Sequence, residues 1–288
     1  MSGAAVDIDH LRGWIGRERT MRDIVTPRLA ASLAAVLDDA GDHAAGEKAP
    51  PGIHWCLCPD IVPTAGLGED GHPLRGGFLP PVPLPRRMWA AGSLRFHAPL
   101  HVGDVVDRTS CIVDVALKQG RSGPLCFLML SHRYAVGEVT VIEERQDIVY
   151  REAGAPAAAP PRRPAPAAPG TFLPTPVLLQ RYSALTFNAH RIHYDQDYCR
   201  EVEGYADLVV HGPLQATLLL RLAIEAQPRH DLHAFSFRSL SPAFAGASLT
   251  LERSGSEPMT LRTIDADGRV AMEAIATWTA GPSDHPAA

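Results

Sequence analysis

The chain has 288 residues, 45% of them hydrophobic and 20% charged, with a net charge of −5. This length suits two domains of ordinary size, and the mild acidity excludes the basic surface that nucleic-acid binding needs. No apolar run approaches the ~20 residues of a membrane span, the opening residues mix charges where a signal peptide would be apolar, and the 5 cysteines read as reduced thiols in a cytoplasm.

The first predicted helix is TPRLAASLAAVLDDA, with Thr26 as N-cap and Pro27 at the first helical position. A Gly- and Pro-rich stretch near 40–85 follows and is expected to form a long loop over a sheet edge or a site. Within it, Cys56 and Cys58 form a C-x-C pair; with no second pair nearby, solvated or packed thiols are the preferred reading over a metal. Next comes SLRFHAPLHVG, Ser93 to Gly103, leading into the alternating, strand-like DVVDRTSCIVDVAL. Residues 154–170 are mostly Pro and Ala and read as a linker between a first half, 1–153, and a second half, 171–288.

The second half repeats the pattern. SFRSLSPAFAG, Ser236 to Gly246, shares S-x-R-x-x-x-P-x-x-x-G with Ser93 to Gly103, an offset of 143 residues that reads as an internal duplication. Its helix, GPLQATLLLRLAIEA, is apolar on most faces, so it must be enclosed; Thr217, Arg221 and Glu225 form one narrow polar stripe. Pro213 is taken to match Pro27, and strands are expected near 232–243, 247–254, 258–265 and 269–280. A buried helix wrapped by a curved antiparallel sheet, occurring twice, is an α+β double hot dog. Pro27 lies 68 residues before Arg95, whereas Pro213 lies 25 before Arg238, so the first half carries an insertion.

The chemistry-bearing residues precede the second helix. FNAHRIHYD supplies an amide, two imidazoles and a carboxylate: Asn188, His190, His193 and Asp195. Histidine exchanges protons near neutral pH, while an amide can orient water but cannot act as a base. The helix start offers backbone N–H groups at a positive dipole end, and Gly212 permits close approach of a substrate carbonyl, an arrangement suited to an enolate oxyanion. His211 reads as capping or packing. His190, His193 and Asp195 could also ligate zinc or iron, but no distant further ligand is evident and no metal is expected. Arg86 and Arg87 are candidates for CoA phosphates or a substrate carboxylate. Arg95 and Arg238 occupy equivalent repeat positions and read as structural, and Trp89 reads as core more than cavity wall.

FNAHRIHYD followed by VVHGPLQA resembles the hydratase motif of the MaoC-like double hot-dog hydratases and dehydratases. SALTFNAHRIHYD and RRMWAAGSLRF are similar to a branch containing mitochondrial-type 3-hydroxyacyl-thioester dehydratases and mesaconyl-C4-CoA (3-methylfumaryl-CoA) hydratases. The resemblance implies that His193 is the catalytic histidine and Gly212 the oxyanion-hole glycine. Asn188 stands where the family usually has a catalytic Asp, leaving His193 as principal base with Asn188 positioning water. Beside the resemblance, the residues themselves make His190, Asp195 and His211 candidates for support, and Arg86, Arg87 and Trp89 candidates for weaker substrate contacts.

The implied reaction is reversible hydration of a short enoyl-CoA, with mesaconyl-C4-CoA or itaconyl-CoA going to citramalyl-CoA as the leading case. CoA enters only as part of the substrate, and no separate cofactor is expected. The alternatives are a 3-hydroxyacyl dehydratase of fatty-acid synthesis acting on acyl carrier protein or CoA, a non-catalytic acyl-CoA-binding hot dog, and, more weakly, a thioesterase. Paired hot dogs commonly associate further, so a homo-oligomer is an open expectation.

Overall fold

The structure, a computed structural model, describes residues 6–39, 41, 43–120, 123–153 and 170–279. The Pro/Ala linker, except for Gly170, and the C-terminal residues beyond 279 lie outside the described residues. A short helix α1 (Ile8–Arg12) leads into β1 (Glu18–Ile24) and α2 (Pro27–Val36). The insertion follows, then β2 (Arg86–Phe96), β3 (Val105–Gly120), β4 (Gly123–Val136) and β5 (Val139–Arg151). The second half contains β6 (Thr171–Phe172), α3 (Pro176–Leu185), α4 (Gly212–Ala226), β7 (Leu232–Ser239), β8 (Leu249–Ser254), β9 (Met259–Ile264) and β10 (Val270–Trp278).

All ten strands form one antiparallel sheet in the order β1-β3-β4-β5-β2-β7-β10-β9-β8-β6. Read outward from the central pair β2–β7, the two halves have the same strand order, so the molecule is a double hot dog joined edge to edge. Ser93 lies directly opposite Ser236 in that pair. These are the first residues of the sequence repeat, so the local two-fold of the duplication passes between them. The repeat also ends alike: Gly103 and Gly246 both take positive φ, +105° and +77°, which explains a glycine at each turn.

The helices match differently from the sequence expectation. Thr26 caps α2 by accepting from Leu29 N (3.1 Å), with Pro27 behind it; Thr175 caps α3 by accepting from Leu178 N (3.2 Å), with Pro176 behind it. Each follows the first strand of its half, so the counterpart of α2 is α3, and these two helices pack together. Helix α4 is the enclosed one, packed on β7, β8, β9 and β10 through Leu214, Leu218, Leu219 and their neighbours. At the corresponding place in the chain, the first half has the insertion in place of a long helix, with a 3-10 turn at Ile53–Cys56.

The end of α2 and the insertion after it explain the polar stripe of α4. Thr217 is fully buried, and a Cβ on Gly52 (φ +82°) would fall 2.7 Å from its hydroxyl. Arg221 donates to the Leu37 carbonyl and pairs with Glu225 at 2.5 Å. The loop therefore closes the remaining side of the helix instead of merely crossing an edge. Ile53, Cys56, Leu57 and Cys58 join the main core, and burial pushes the Cys56 thiol up to about 12. The C-x-C pair is part of the packing.

Strands β4 and β5 set the position of the site. Their even-numbered residues share one face: Tyr134 and Ile142 belong to the main core, while Cys126, Leu128, Leu130, Ile148 and Tyr150 form a second cluster. Between them the face turns polar, with His132, Glu144 and Gln146. Nδ1 of His132 is 2.8 Å from Ser110 Oγ and its Nε2 is 3.1 Å from Gln146 Oε1. Glu144 accepts from Tyr134 Oη and from Trp55 Nε1, both at 2.9 Å. This satisfied polar strip is one wall of a cavity of about 390 Å³ whose other wall is the start of α4.

Candidate active site

The motif turn begins where α3 ends. Phe187 takes φ +51°, Asn188 N donates to Ser183 O (2.8 Å), and Asn188 Oδ1 accepts from His190 N (3.0 Å). With its oxygen committed to a backbone donor, the Asn188 side chain has its NH₂ left to offer the cavity. Residues Arg191–His193 form a 3-10 turn tied to the strand-like approach to α4, since Val209 N donates to Ile192 O (2.9 Å).

The same approach fixes His193. Its Nδ1 lies 2.7 Å from the Val209 carbonyl oxygen. A carbonyl can only accept, so Nδ1 carries the proton and Nε2 holds a lone pair. Burial, the largest influence, lowers the imidazole to about 4, so it is neutral at physiological pH. His193 stacks on His211 with ring centroids 3.6 Å apart and planes 21° apart. His211 is completely buried, with Nε2 2.8 Å from Ser183 Oγ. It precedes α4 but makes no side-chain capping bond, so its place is packing and stacking.

Gly212, the first residue of α4, lines the cavity with His193, His190 and Asn188. Its N–H makes no hydrogen bond among the described residues. An available N–H at a helix start, beside a neutral imidazole with a free lone pair, can polarise a carbonyl while the imidazole takes a proton.

Other expected residues separate. Asp195 does not reach the cavity: its carboxylate takes Arg191 Nη2 (2.7 Å) and Nε (3.0 Å) and the Tyr198 N–H (3.0 Å), so it holds the turn together. The His190–His193–Asp195 metal set is therefore not assembled. Arg86 is buried in an ion pair with Glu203 (3.3 Å), away from the cavity lining. Arg87 lines the cavity. Trp89 does too, while also packing edge-on against Trp55 (5.5 Å) and Phe237 (5.2 Å).

The insertion contributes a histidine that sequence reasoning missed. His72 lies in the cavity wall, with its ring centroid 4.1 Å from that of His190. Its Nδ1 is 3.1 Å from Asp70 Oδ2, and its backbone N donates to Asp70 Oδ1 (3.0 Å). Burial lowers His72 to about 4, with Arg87 adding to the effect. Burial works against the Asp70 carboxylate, yet the hydrogen bonds from His72 hold it below its ordinary value. The loop is clamped onto the motif: Arg191 N donates to Asp70 O (2.9 Å), and Arg191 Nη1 to Glu69 O (3.1 Å). Its signal in the sequence is D-x-H in EDGHP, a spacing that lets a carboxylate hold a ring, set inside a Gly- and Pro-rich loop. Ligand atoms of Asp70, His72 and His190 lie within 4.8 Å of one another. Arg87 lowers the two histidines electrostatically, and its positive charge disfavours a cation there.

Two predictions follow from this geometry. At Gly71 (φ +87°) an added Cβ would fall 1.8 Å from the Ala189 carbonyl oxygen. Gly71→Ala is expected to destabilise by about 2–4 kcal/mol in denaturant titration and to lower activity at least about tenfold, by lifting the loop from the motif. Second, His54, His72 and His193 are each lowered to about 4 by burial. Unfolded, they titrate near ~6.5. The unfolded chain therefore binds more protons in this window, so the stability contribution is full above about pH 6.5 and is lost as pH falls toward about 4. Thermal melts should show Tm declining steadily across that window; a flat Tm would contradict neutral buried imidazoles.

Comparison with known proteins identifies the family and the fold. The family described as hydroxyacyl-thioester dehydratase type 2 matches residues 52–245. The mesaconyl-C(4)-CoA hydratase of Chloroflexus aurantiacus is 44% identical over 267 residues, covering 91% of this chain and 95% of the relative. The mitochondrial hydroxyacyl-thioester dehydratase type 2 of Schizosaccharomyces pombe is 29% identical over 228 residues, 70% of this chain and 76% of the relative. Among solved structures, a MaoC-like dehydratase from Phytophthora capsici superposes with a TM-score of 0.67 at 16% identity, covering 97% of this chain and all (100%) of that one, and so shares the fold. The curated relatives are enzymes that add or remove water, and the chain is accordingly a hydro-lyase belonging to the hydroxyacyl-thioester dehydratase type 2 family.

Proposed function

We propose that the protein hydrates a short enoyl-CoA bearing a second carboxylate, with mesaconyl-C4-CoA as the leading substrate and citramalyl-CoA as the product. The observation that carries this reading is the composition of the cavity. It is lined by His193, Asn188 and Gly212 and also by the polar strip of His132, Glu144 and Gln146. A polar acyl group can add hydrogen bonds to these side chains, which a long alkyl chain cannot. A short polar acyl group suits it.

Hydration follows from the geometry. The Gly212 N–H polarises the thioester carbonyl, and the Asn188 NH₂ holds the water oxygen. His193 Nε2 takes a proton from that water as its oxygen bonds to the β-carbon. The alkene electron pair moves toward the carbonyl oxygen, giving an enolate held at the start of α4. The enolate then takes the proton from His193 at the α-carbon, restoring the neutral imidazole. Dehydration is the reverse path. In this mechanism His211 supports the base by stacking and His190 fills the wall between His193 and His72.

The fatty-acyl dehydratase alternative uses the same groups and is favoured by the family and the yeast relative; the polar wall speaks against its long acyl chain. A non-catalytic binding role would need neither a free His193 lone pair nor an open N–H at Gly212. Five free thiols suit a reducing cytoplasm.

Turnover of mesaconyl-C4-CoA, itaconyl-CoA and crotonyl-CoA tests the proposal. The expected outcome is preference for a dicarboxylic substrate, with His193→Ala lowering kcat by about 10²–10⁴-fold. Preference for crotonyl-CoA or longer acyl groups would move the assignment to fatty-acyl dehydration. A fully active His193→Ala would remove His193 as base.

A further inference from the structure

Arg87 stands apart from the other arginines of the cavity. Arg19 pairs with Asp60 and lies over the Phe78 ring at 4.4 Å. Arg108 donates to the carbonyls of Cys58 (2.7 Å) and Leu57 (3.3 Å). Neighbouring Arg86 is taken by Glu203. Among the described residues, the Arg87 side chain makes no hydrogen bond or ion pair, although it is half-buried and lines the cavity. The carboxylate it acts on, Asp70, has both oxygens engaged by His72. The imidazoles it faces, His72 and His190, are held neutral by burial, so neither offers an anion. A partly desolvated guanidinium without a partner is unfavourable, and a planar fork matches a carboxylate.

Its position fits the reaction. Arg87 and Trp89 are two residues apart on β2, about 7 Å along the strand and on the same face. The Trp89 carbonyl lies 3.9 Å from where a Gly212 Cβ would be, which places Trp89 against the oxyanion end of the cavity. In a mesaconyl-C4 thioester, the free carboxylate is attached to the β-carbon, the atom that water attacks. A negative group there repels an approaching nucleophile and its electrons. A guanidinium paired with it removes that penalty and fixes the alkene in front of His193.

We propose that Arg87 is the specificity-determining residue of this site and binds the free carboxylate on the acyl group of the substrate. This rests on the dicarboxylic reading above, and Arg87 would act on kcat as well as KM. The competing source of the same chemistry is a phosphate of CoA, which every CoA ester carries.

The test uses unreactive ligands, so it does not depend on which substrate is turned over. Inhibition constants of succinyl-CoA and butyryl-CoA, similar in length but differing by a carboxylate, are measured against the best substrate for the wild type, Arg87→Met and Arg87→Lys. The proposal expects the wild type to favour succinyl-CoA by roughly 10- to 100-fold, Arg87→Met to bring the ratio near one, and Arg87→Lys to lie between. A wild type that does not discriminate overturns the proposal. A discrimination that survives in Arg87→Met also overturns it, as does an equal weakening of both ligands, which assigns Arg87 to a CoA phosphate. If the wild type favours succinyl-CoA through Arg87 but does not turn over mesaconyl-C4-CoA, the carboxylate site stands and the choice of substrate fails separately.

Discussion

The structure depends on one hydrogen bond, from His193 Nδ1–H to the Val209 carbonyl at 2.7 Å. It fixes the tautomer of the imidazole and therefore which nitrogen can take a proton. It also joins the motif turn to the segment that becomes α4, so the base and the helix start cannot move independently. The reciprocal bond from Val209 N to Ile192 O closes this small unit. Burial then keeps the ring neutral, and stacking on His211 holds its plane. A charge-neutral base beside an open backbone N–H is the minimum that reversible addition of water to a thioester requires.

The duplication divides the work. The second half supplies the enclosed helix and the reacting groups. The first half, with no long helix at that point of the chain, supplies a sheet face that turns from apolar to polar and back along β4 and β5, plus an insertion. That insertion closes the open side of α4 through Gly52 against Thr217, and farther on it lays Asp70, Gly71 and His72 against the motif. Removing a helix from one half thus opens the cavity, while the longer loop that replaces it seals the core and furnishes part of the wall.

Much of this was legible in the sequence because local rules governed it. The Thr-Pro start of α2, the apolar run of α4, and the glycine of the repeat have direct structural causes. His193, Asn188 and Gly212 meet in one cavity because they lie within 25 residues of chain around a helix start. What was hidden depended on long-range packing. The sequence pairs Pro213 with Pro27, whereas the capping and strand order pair α2 with α3; a shared proline is a weaker guide than the position after the first strand. Asp195 was close in sequence to the imidazoles, yet Arg191 on the preceding turn claims its carboxylate. His72 is more than a hundred residues from the motif, and only the folded insertion brings it to His190. Arg86 and Arg87 are adjacent, and alternation along β2 sends one to Glu203 and the other to the cavity.

The central claim is that His193 is a neutral base whose free lone pair is on Nε2. Nitrogen-15 NMR of histidine-labelled protein, assigned by comparison with His193→Gln, reports tautomer and charge directly. Burial lowers the ring to about 4, so between roughly pH 5.5 and 8 the account predicts an unchanging neutral ring protonated at Nδ1. An imidazolium signal near neutral pH, or a neutral ring protonated at Nε2, would contradict it, because Nε2 could not then take a proton from water.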